Sequence, residues 1–180
     1  QFFRLKPDVT VFSNIGALGI DGSMSTFIGQ AIVAAEKLCF LLIGDLSFFY
    51  DMNSVWIRHL SSNVRIIMIN NFGAGEFHFQ HDKVHYPRIN EHISVEHRAV
   101  AKGWVESLGF NYISASNKVE LDTAFAKITV KADRPVFVEV FVDMEADGQM
   151  VREMYASNKV EESTPNLHQG LRKILGNKTV

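Results

Sequence analysis

Two short runs, Cys39-Phe-Leu-Leu-Ile43 and Ile66-Ile-Met-Ile69, are apolar at every position rather than at every other one. A strand with one face in water alternates, whereas a strand covered on both faces does not. Such runs ask for a sheet with helices on both sides, and the segments between them can supply those helices. Strands are predicted over Val9–Ser13, Phe40–Ile43, Arg65–Asn70, Asn111–Ala115 and Pro135–Asp143. Ser23–Leu38 carries Met24, Phe27, Ile28, Ala31 and Ala35 at helical spacing, and Asp51–Leu60 carries Met52, Val55, Trp56 and Leu60. Ser94–Leu108 opens on a near capping box, with His97 where Glu is usual, and stops at Gly109. Lys118–Val130 carries Leu121, Phe125 and Ile128. Strand alternating with helix predicts an α/β fold: a doubly wound, mostly parallel sheet with helices on both faces.

The chain of 180 residues suits one domain, which can bury roughly 70% of its unfolded surface without a disulfide or metal staple. That domain is expected over residues 1–155, with a polar tail over 156–180. The tail carries one amphipathic stretch (Leu167, Leu171, Ile174, Leu175) suited to a surface helix or a partner contact. The stretch from Phe72 to Ile93 is long, polar and histidine-rich, which suits a lid. With 47% hydrophobic and 21% charged residues the chain is not a disordered one. A net charge of −2 and no basic strip argue against nucleic acid. The single Cys39, inside an apolar run, reads as a small buried hydrophobe. No run approaches a membrane span and no signal peptide is recognisable, so no membrane contact and a cytoplasmic location are expected. The chain opens on Gln1 and is expected to be part of something larger.

In such sheets ligands bind at the carboxyl ends of the strands. Three segments follow strand ends: Asn14 to Gly22, Gly44 to Asn53, and Asn70 to Phe77. Asp45 follows its strand directly. Asn71 lies at the tip of the next strand and Gly73 two residues on. A carboxylate, an amide oxygen and an unhindered backbone carbonyl are three hard oxygen ligands. Magnesium wants six, and completes its shell with phosphate and water. A helix starting near Ser47 would aim its first amides at the same place. These features together predict a magnesium-diphosphate site, although each alone would fit a helix cap or a turn.

Those residues carry a resemblance. Gly44-Asp45 followed by Asn70-Asn71 resembles the cofactor signature of thiamine-diphosphate-dependent enzymes. Gly16-Ala-Leu-Gly-Ile-Asp-Gly22, Gly44-Asp-Leu-Ser-Phe-Phe-Tyr-Asp-Met-Asn53 and Asn70-Asn-Phe-Gly-Ala-Gly-Glu-Phe77 resemble one branch of that family. The branch is the succinyl-enolpyruvyl-hydroxycyclohexene-carboxylate synthases of menaquinone biosynthesis. The similarity runs from about Val9 to about Gly148 and covers only the family's C-terminal, diphosphate-binding domain. The resemblance implies a thiamine diphosphate and magnesium cofactor, with metal ligands Asp45, Asn71 and the Gly73 carbonyl. It implies that the backbone around Gly44, Leu46 and Ser47 meets the diphosphate. Ile20 would be the apolar wedge that bends the cofactor, and the Leu18 carbonyl would accept from its amino group. Glu76 and Phe77 would face the substrate. The resemblance also implies a pyrimidine-binding domain, in the same or another subunit, that brings the activating glutamate. The site here is then half a site, in a homo-oligomer that acts on a small 2-oxo acid by decarboxylation, with or without transfer of the acyl carbanion.

Two residues depart from the branch: Ile15 where it has an arginine, and Glu76 where it has an isoleucine. Both changes disfavour a highly anionic acceptor such as isochorismate, unless Arg88 supplies the lost charge. An enzyme of the same chemistry with another acceptor is therefore expected, and a non-catalytic domain that keeps the fold for assembly is the contrasting reading. A dinucleotide fingerprint at Gly16, Gly19 and Gly22 has the wrong first spacing and leaves Asn70 to Gly73 without a task. His78, His81 and His85 have conceivable zinc spacing, yet read better as surface or substrate-facing side chains. His97 reads as a cap or a solvated residue, and Trp56 and Trp104 as core or interface anchors. Asp51 and Asn53 read as helix-capping residues. Glu139, between Val138 and Val140, reads as facing solvent at a sheet edge, with no chemistry assigned.

Overall fold

A computed structural model describes residues 6–14, 19–20, 22–80 and 88–157. The two apolar runs form two of the strands in the described sheet. These are β1 (Cys39–Gly44), β2 (Val64–Asn70), β3 (Asn111–Ala115) and β4 (Val136–Phe141), all parallel and in the order β1-β2-β4-β3. Each strand sends alternate residues to opposite faces. On one face Ile43, Ile66, Met68 and Phe137 pack under α1 (Ser23–Val33), α2 (Asp45–Tyr50), a 3-10 turn at Met52–Trp56 and α5 (Lys102–Ser107). On the other, Val136, Val138 and Val140 meet Ala124 and Ile128 of α6 (Lys118–Ile128). Helices on both faces of a parallel sheet bear out the expected α/β architecture. Each fully buried residue such as Phe48, Phe137 or Ile66 contributes on the order of 1.5–3 kcal/mol by leaving water.

Four expectations are corrected. Residues 9–13 form no strand; Val9, Val11 and Phe12 are exposed, and Val9 N–H donates only to Lys6 O, in a turn. An apolar run signals burial, but a strand also needs a ladder partner. The helix expected over Ser94–Leu108 is confined to α5. Val95 takes φ 50, and the backbone before α5 is spent elsewhere: Ser94 O accepts from Ala74 N, Ala99 O from Asn70 Nδ2, and His97 N–H donates to Phe72 O. Tertiary hydrogen bonds outweigh helix propensity here. The polar stretch after Phe72 is not irregular throughout, since it holds α3 (Glu76–Gln80) and α4 (Ile89–His92). A seventh helix, α7 (Met144–Ser157), runs where no helix was expected and packs on α3. His81, His85 and the tail residues 158–180 lie outside the described residues. Among the described residues no helix is long and apolar enough to cross a membrane.

Glu139 is also not where its sequence placed it. β4 is a central strand, paired on both sides, and Glu139 is fully buried. Asp51 does not cap its own helix. Its carboxylate accepts from Ser25 N–H at 2.8 Å and Ser25 Oγ at 2.6 Å, capping the first turn of α1 from across the fold. Of the two tryptophans, Trp104 donates to Met52 O at 3.0 Å, while Trp56 is 67% exposed and meets the Trp104 ring edge-on.

Candidate active site

The tips of β1, β2 and β4 converge. β1 ends at Gly44 and α2 starts at once with Asp45, two residues earlier than expected, so the carboxylate sits at the turn between them. Asp45 is only 2% exposed. Its Oδ1 accepts from Leu46 N–H at 2.7 Å and its Oδ2 from Gly73 N–H at 3.1 Å. The second bond ties the loop after β2 to the end of β1. A carboxylate has about four lone-pair sites, so acceptor capacity remains. Among the described residues no lysine or arginine pairs with Asp45, and a buried carboxylate met only by backbone amides and one histidine favours a cation.

Asn71 lies on the same loop. Its Nδ2 turns toward Asp147 of α7, 3.5 Å away, which leaves Oδ1 buried without a hydrogen-bond partner. Gly73 and Gly75 let the loop close this tightly. A Cβ on Gly73 would stand 2.7 Å from Ser94 O, and one on Gly75 would strike the Asn71 amide. Among the described residues the orphaned buried side-chain atoms are Asn71 Oδ1, Ser94 Oγ and His97 Nε2. All three belong to this loop or to the segment lying against it. Asp45 and Asn71 thus have the donor chemistry a magnesium ion takes, one hard oxygen of it unsatisfied. The Gly73 carbonyl accepts from Gly75 N–H at 3.2 Å and keeps a second lone pair. Among the described residues no group of three or more His, Cys, Asp or Glu side chains could hold a metal. A metal held by these residues would have to borrow amide or backbone oxygens.

Other anticipated residues fall as follows. Leu46 and Ser47 are half-buried, Leu46 N–H donates to Asp45 Oδ1, and nothing lies within 4 Å of where a Gly44 Cβ would stand. Ile20 is 40% exposed; Leu18 and Ile15 lie outside the described residues. Glu76 is exposed on the first turn of α3 and Phe77 half-buried. Arg88 pairs with Glu91 at 2.7 Å in the open. His78 is not at the surface: it is buried, its Nε2 is 2.7 Å from Asn90 Oδ1, and its carbonyl accepts from Arg152.

His97, expected as a cap or a solvated residue, is neither. Its Nδ1 accepts from Ala99 N–H at 3.1 Å, which puts the ring proton on Nε2, 3.2 Å from Asp45 Oδ2 though off the hydrogen-bond axis. Its ring meets Phe49 and Phe72 edge-on. Glu139 had a signal that could have been read: a carboxylate inside Val136-Phe-Val-Glu-Val140 must be buried and must have partners.

The family described as "Thiamine pyrophosphate enzyme, C-terminal TPP binding domain" matches residues 1–140. A 2-succinyl-5-enolpyruvyl-6-hydroxy-3-cyclohexene-1-carboxylate synthase of Phocaeicola vulgatus is 43% identical over 157 residues, 86% of this chain and 28% of that protein. Proteins of the same name from Bacteroides fragilis and Desulfotalea psychrophila are 39% and 34% identical, over 86% and 79% of this chain and 28% and 26% of theirs. The chain therefore spans little more than a quarter of the curated relatives it matches.

Proposed function

The chain belongs to the thiamine pyrophosphate enzymes, as their C-terminal cofactor-binding domain, and on that premise we propose that Asp45, Asn71 and the Gly73 carbonyl hold the magnesium ion that carries the cofactor's diphosphate. The observation that carries this reading is the buried, unpartnered Asn71 Oδ1 on the loop that Gly73 N–H ties to Asp45. The backbone from Gly44 to Ser47 binds the diphosphate from the β1 side. Ile20 props the cofactor from the loop before α1, and the Leu18 carbonyl accepts from its amino group. When bound, thiamine diphosphate supplies the electron sink that lets a 2-oxo acid lose carbon dioxide. The chain's own residues bind and orient it. The activating glutamate comes from a pyrimidine-binding domain, so the working site is composite and the enzyme oligomeric.

We further propose that the protein carrying this domain decarboxylates a 2-oxo acid and passes the acyl carbanion to an acceptor. The shared name of the relatives favours the cyclohexene-carboxylate synthase reaction as the specific form. A second reading, the same chemistry with another acceptor, is favoured by Glu76, a carboxylate where that branch carries an apolar residue. The two are separated by supplying the full-length enzyme with 2-oxoglutarate and isochorismate. Efficient adduct formation supports the first; decarboxylation without adduct supports the second. The cofactor site itself is tested by Asp45→Ala, which should abolish magnesium-dependent thiamine diphosphate binding. An unchanged ligand-induced thermal stabilisation in that variant sinks the metal assignment, and no cofactor binding by the wild type leaves the assembly-module reading standing.

A further inference from the structure

Glu139 is a fully buried carboxylate in the middle of β4, in register with Met68 of β2 and Ser114 of β3. Among the described residues no lysine or arginine pairs with it. Three donors from three separate elements do. Asn70 Nδ2 is 2.8 Å from Oε1, Tyr112 OH is 2.7 Å from Oε2, and Ala101 N–H is 3.2 Å from both oxygens. An apolar side chain would fill this place with less desolvation. The burial therefore asks for a reason beyond packing.

What Glu139 holds is Asn70, itself fully buried at the tip of β2. The Asn70 amide donates to Glu139 and to Ala99 O, and its Oδ1 accepts from Phe72 N–H at 3.1 Å. Phe72 adopts φ 63, a left-handed conformation that a bulky residue rarely keeps. It persists because its surroundings over-determine it. Asn70 holds its N–H, His97 N–H holds its carbonyl at 2.9 Å, and the Phe141 ring stacks on its own at 5.8 Å. That turn decides where Asn71 Oδ1 and the Gly73 carbonyl point.

We propose that Glu139 is a positioning residue of the cofactor site: acting through Asn70, its carboxylate locks the left-handed turn at Phe72 and so aims Asn71 and Gly73 at the magnesium ion. The inference rests on the magnesium reading above. A carboxylate is required because each group aimed at it is a donor. The amide of glutamine would turn hydrogens of its own toward one of them.

The test is a magnesium titration of the full-length protein at saturating thiamine diphosphate, read as ligand-induced thermal stabilisation. Glu139→Gln and Asn70→Ala should each raise the half-saturating magnesium concentration about 10–100-fold, the usual cost of losing an outer-shell partner. The double variant should be no worse than the weaker single one, because both act on one path. Tyr112→Phe takes a donor from the same carboxylate but leaves Asn70 in place. It should lower stability while its magnesium half-saturation stays near wild type. A wild-type half-saturation in Glu139→Gln, additive effects in the double variant, or an equal shift in Tyr112→Phe would overturn the inference. If Glu139→Gln does not fold, Asn70→Ala decides alone, and unchanged magnesium dependence there overturns it. A wild type with no magnesium response removes the site and the inference together; a responsive wild type whose variants keep the wild-type half-saturation removes only the inference.

Discussion

Replacing Gly75 with alanine perturbs the site without substituting a proposed ligand. A Cβ at this position would collide with Asn71 Nδ2 and stand 3.2 Å from Asn71 Cγ, with Met144 Cγ at 3.6 Å behind it. The backbone of Gly75 is not left-handed, so alanine itself is unstrained. It should add about 0.4–1 kcal/mol by restricting the unfolded chain. The Asn71 amide must rotate away, off its preferred rotamer, at about 0.5–1.5 kcal/mol. The two nearly cancel, so the unliganded protein should unfold within about 1 kcal/mol of wild type. The amide oxygen, however, no longer points where it did. Magnesium affinity should fall about 10–100-fold, which is about 1.4–2.7 kcal/mol of binding free energy. Denaturant unfolding without ligand and magnesium titration with thiamine diphosphate, both on the full-length protein, measure the two halves separately. Unchanged magnesium affinity in a folded Gly75→Ala would refute the assignment of Asn71 Oδ1 as a ligand. A large loss of unliganded stability would refute the claim that the loop has room to yield.

Three further outcomes follow from other contacts. Asp51→Ala removes the cap that Asp51 places on Ser25 N–H of α1, and should cost about 1 kcal/mol in a denaturant midpoint. Gly148→Ala puts a Cβ 2.9 Å from His78 Cβ and 3.0 Å from its carbonyl carbon, so α7 must lift off α3; about 1–3 kcal/mol should be lost in the same assay. Tyr112 is held protonated well above the ordinary tyrosine range, first by burial and then by its hydrogen bond to Glu139 and the charges of Glu139 and Glu106. Its contribution is fully present below about pH 10 and is lost as pH rises beyond that, because the unfolded phenol ionises first. The alkaline fall in stability should therefore be shallower in Tyr112→Phe, and equal slopes would count against the buried phenol.

The strands that carry the site were legible because their evidence is local. Cys39 to Ile43 and Ile66 to Ile69 are apolar at every position; in the structure the second lies in β2 between helix-covered faces, while the first forms the edge strand β1, whose Phe40 and Leu42 stay exposed because only its other face is covered. Asp45, Asn71 and Gly73 were legible because they follow those runs directly, and chain order alone sets them at neighbouring strand ends. What supports them was not legible, because each support reaches across the fold. Asp51 caps a helix 26 residues before it, Asn70 reaches Glu139 over 69 residues, and Asn71 reaches Asp147 over 76. The same limit explains residues 9–13, whose apolar side chains suggested a strand but which find no ladder partner among the described residues and stay exposed. It also explains Ser94 to Val100, where helical spacing was present but the backbone groups were needed by the loop above.

Arg65 shows how thoroughly the rest of the fold settles its polar groups. It is fully buried, its guanidinium pushed down by desolvation, and among the described residues no carboxylate pairs with it. Instead it donates to the carbonyls of Ser62, Val64, Ile128 and Val130, tying β2 to the end of α6. Asn63 is treated the same way: its amide donates to Ala31 O, Ala34 O and Lys37 O, closing the end of α1. A fold that finds four carbonyls for one arginine has no difficulty satisfying an amide. The unpartnered oxygen of Asn71 is then not loose packing. It lies on a loop that Glu139, Asn70 and His97 hold in a left-handed turn, beside a buried carboxylate that only backbone amides and one histidine approach. Rigidity around an unsatisfied acceptor is what a cation site needs, because ligands already in place leave less ordering to be done when the ion arrives.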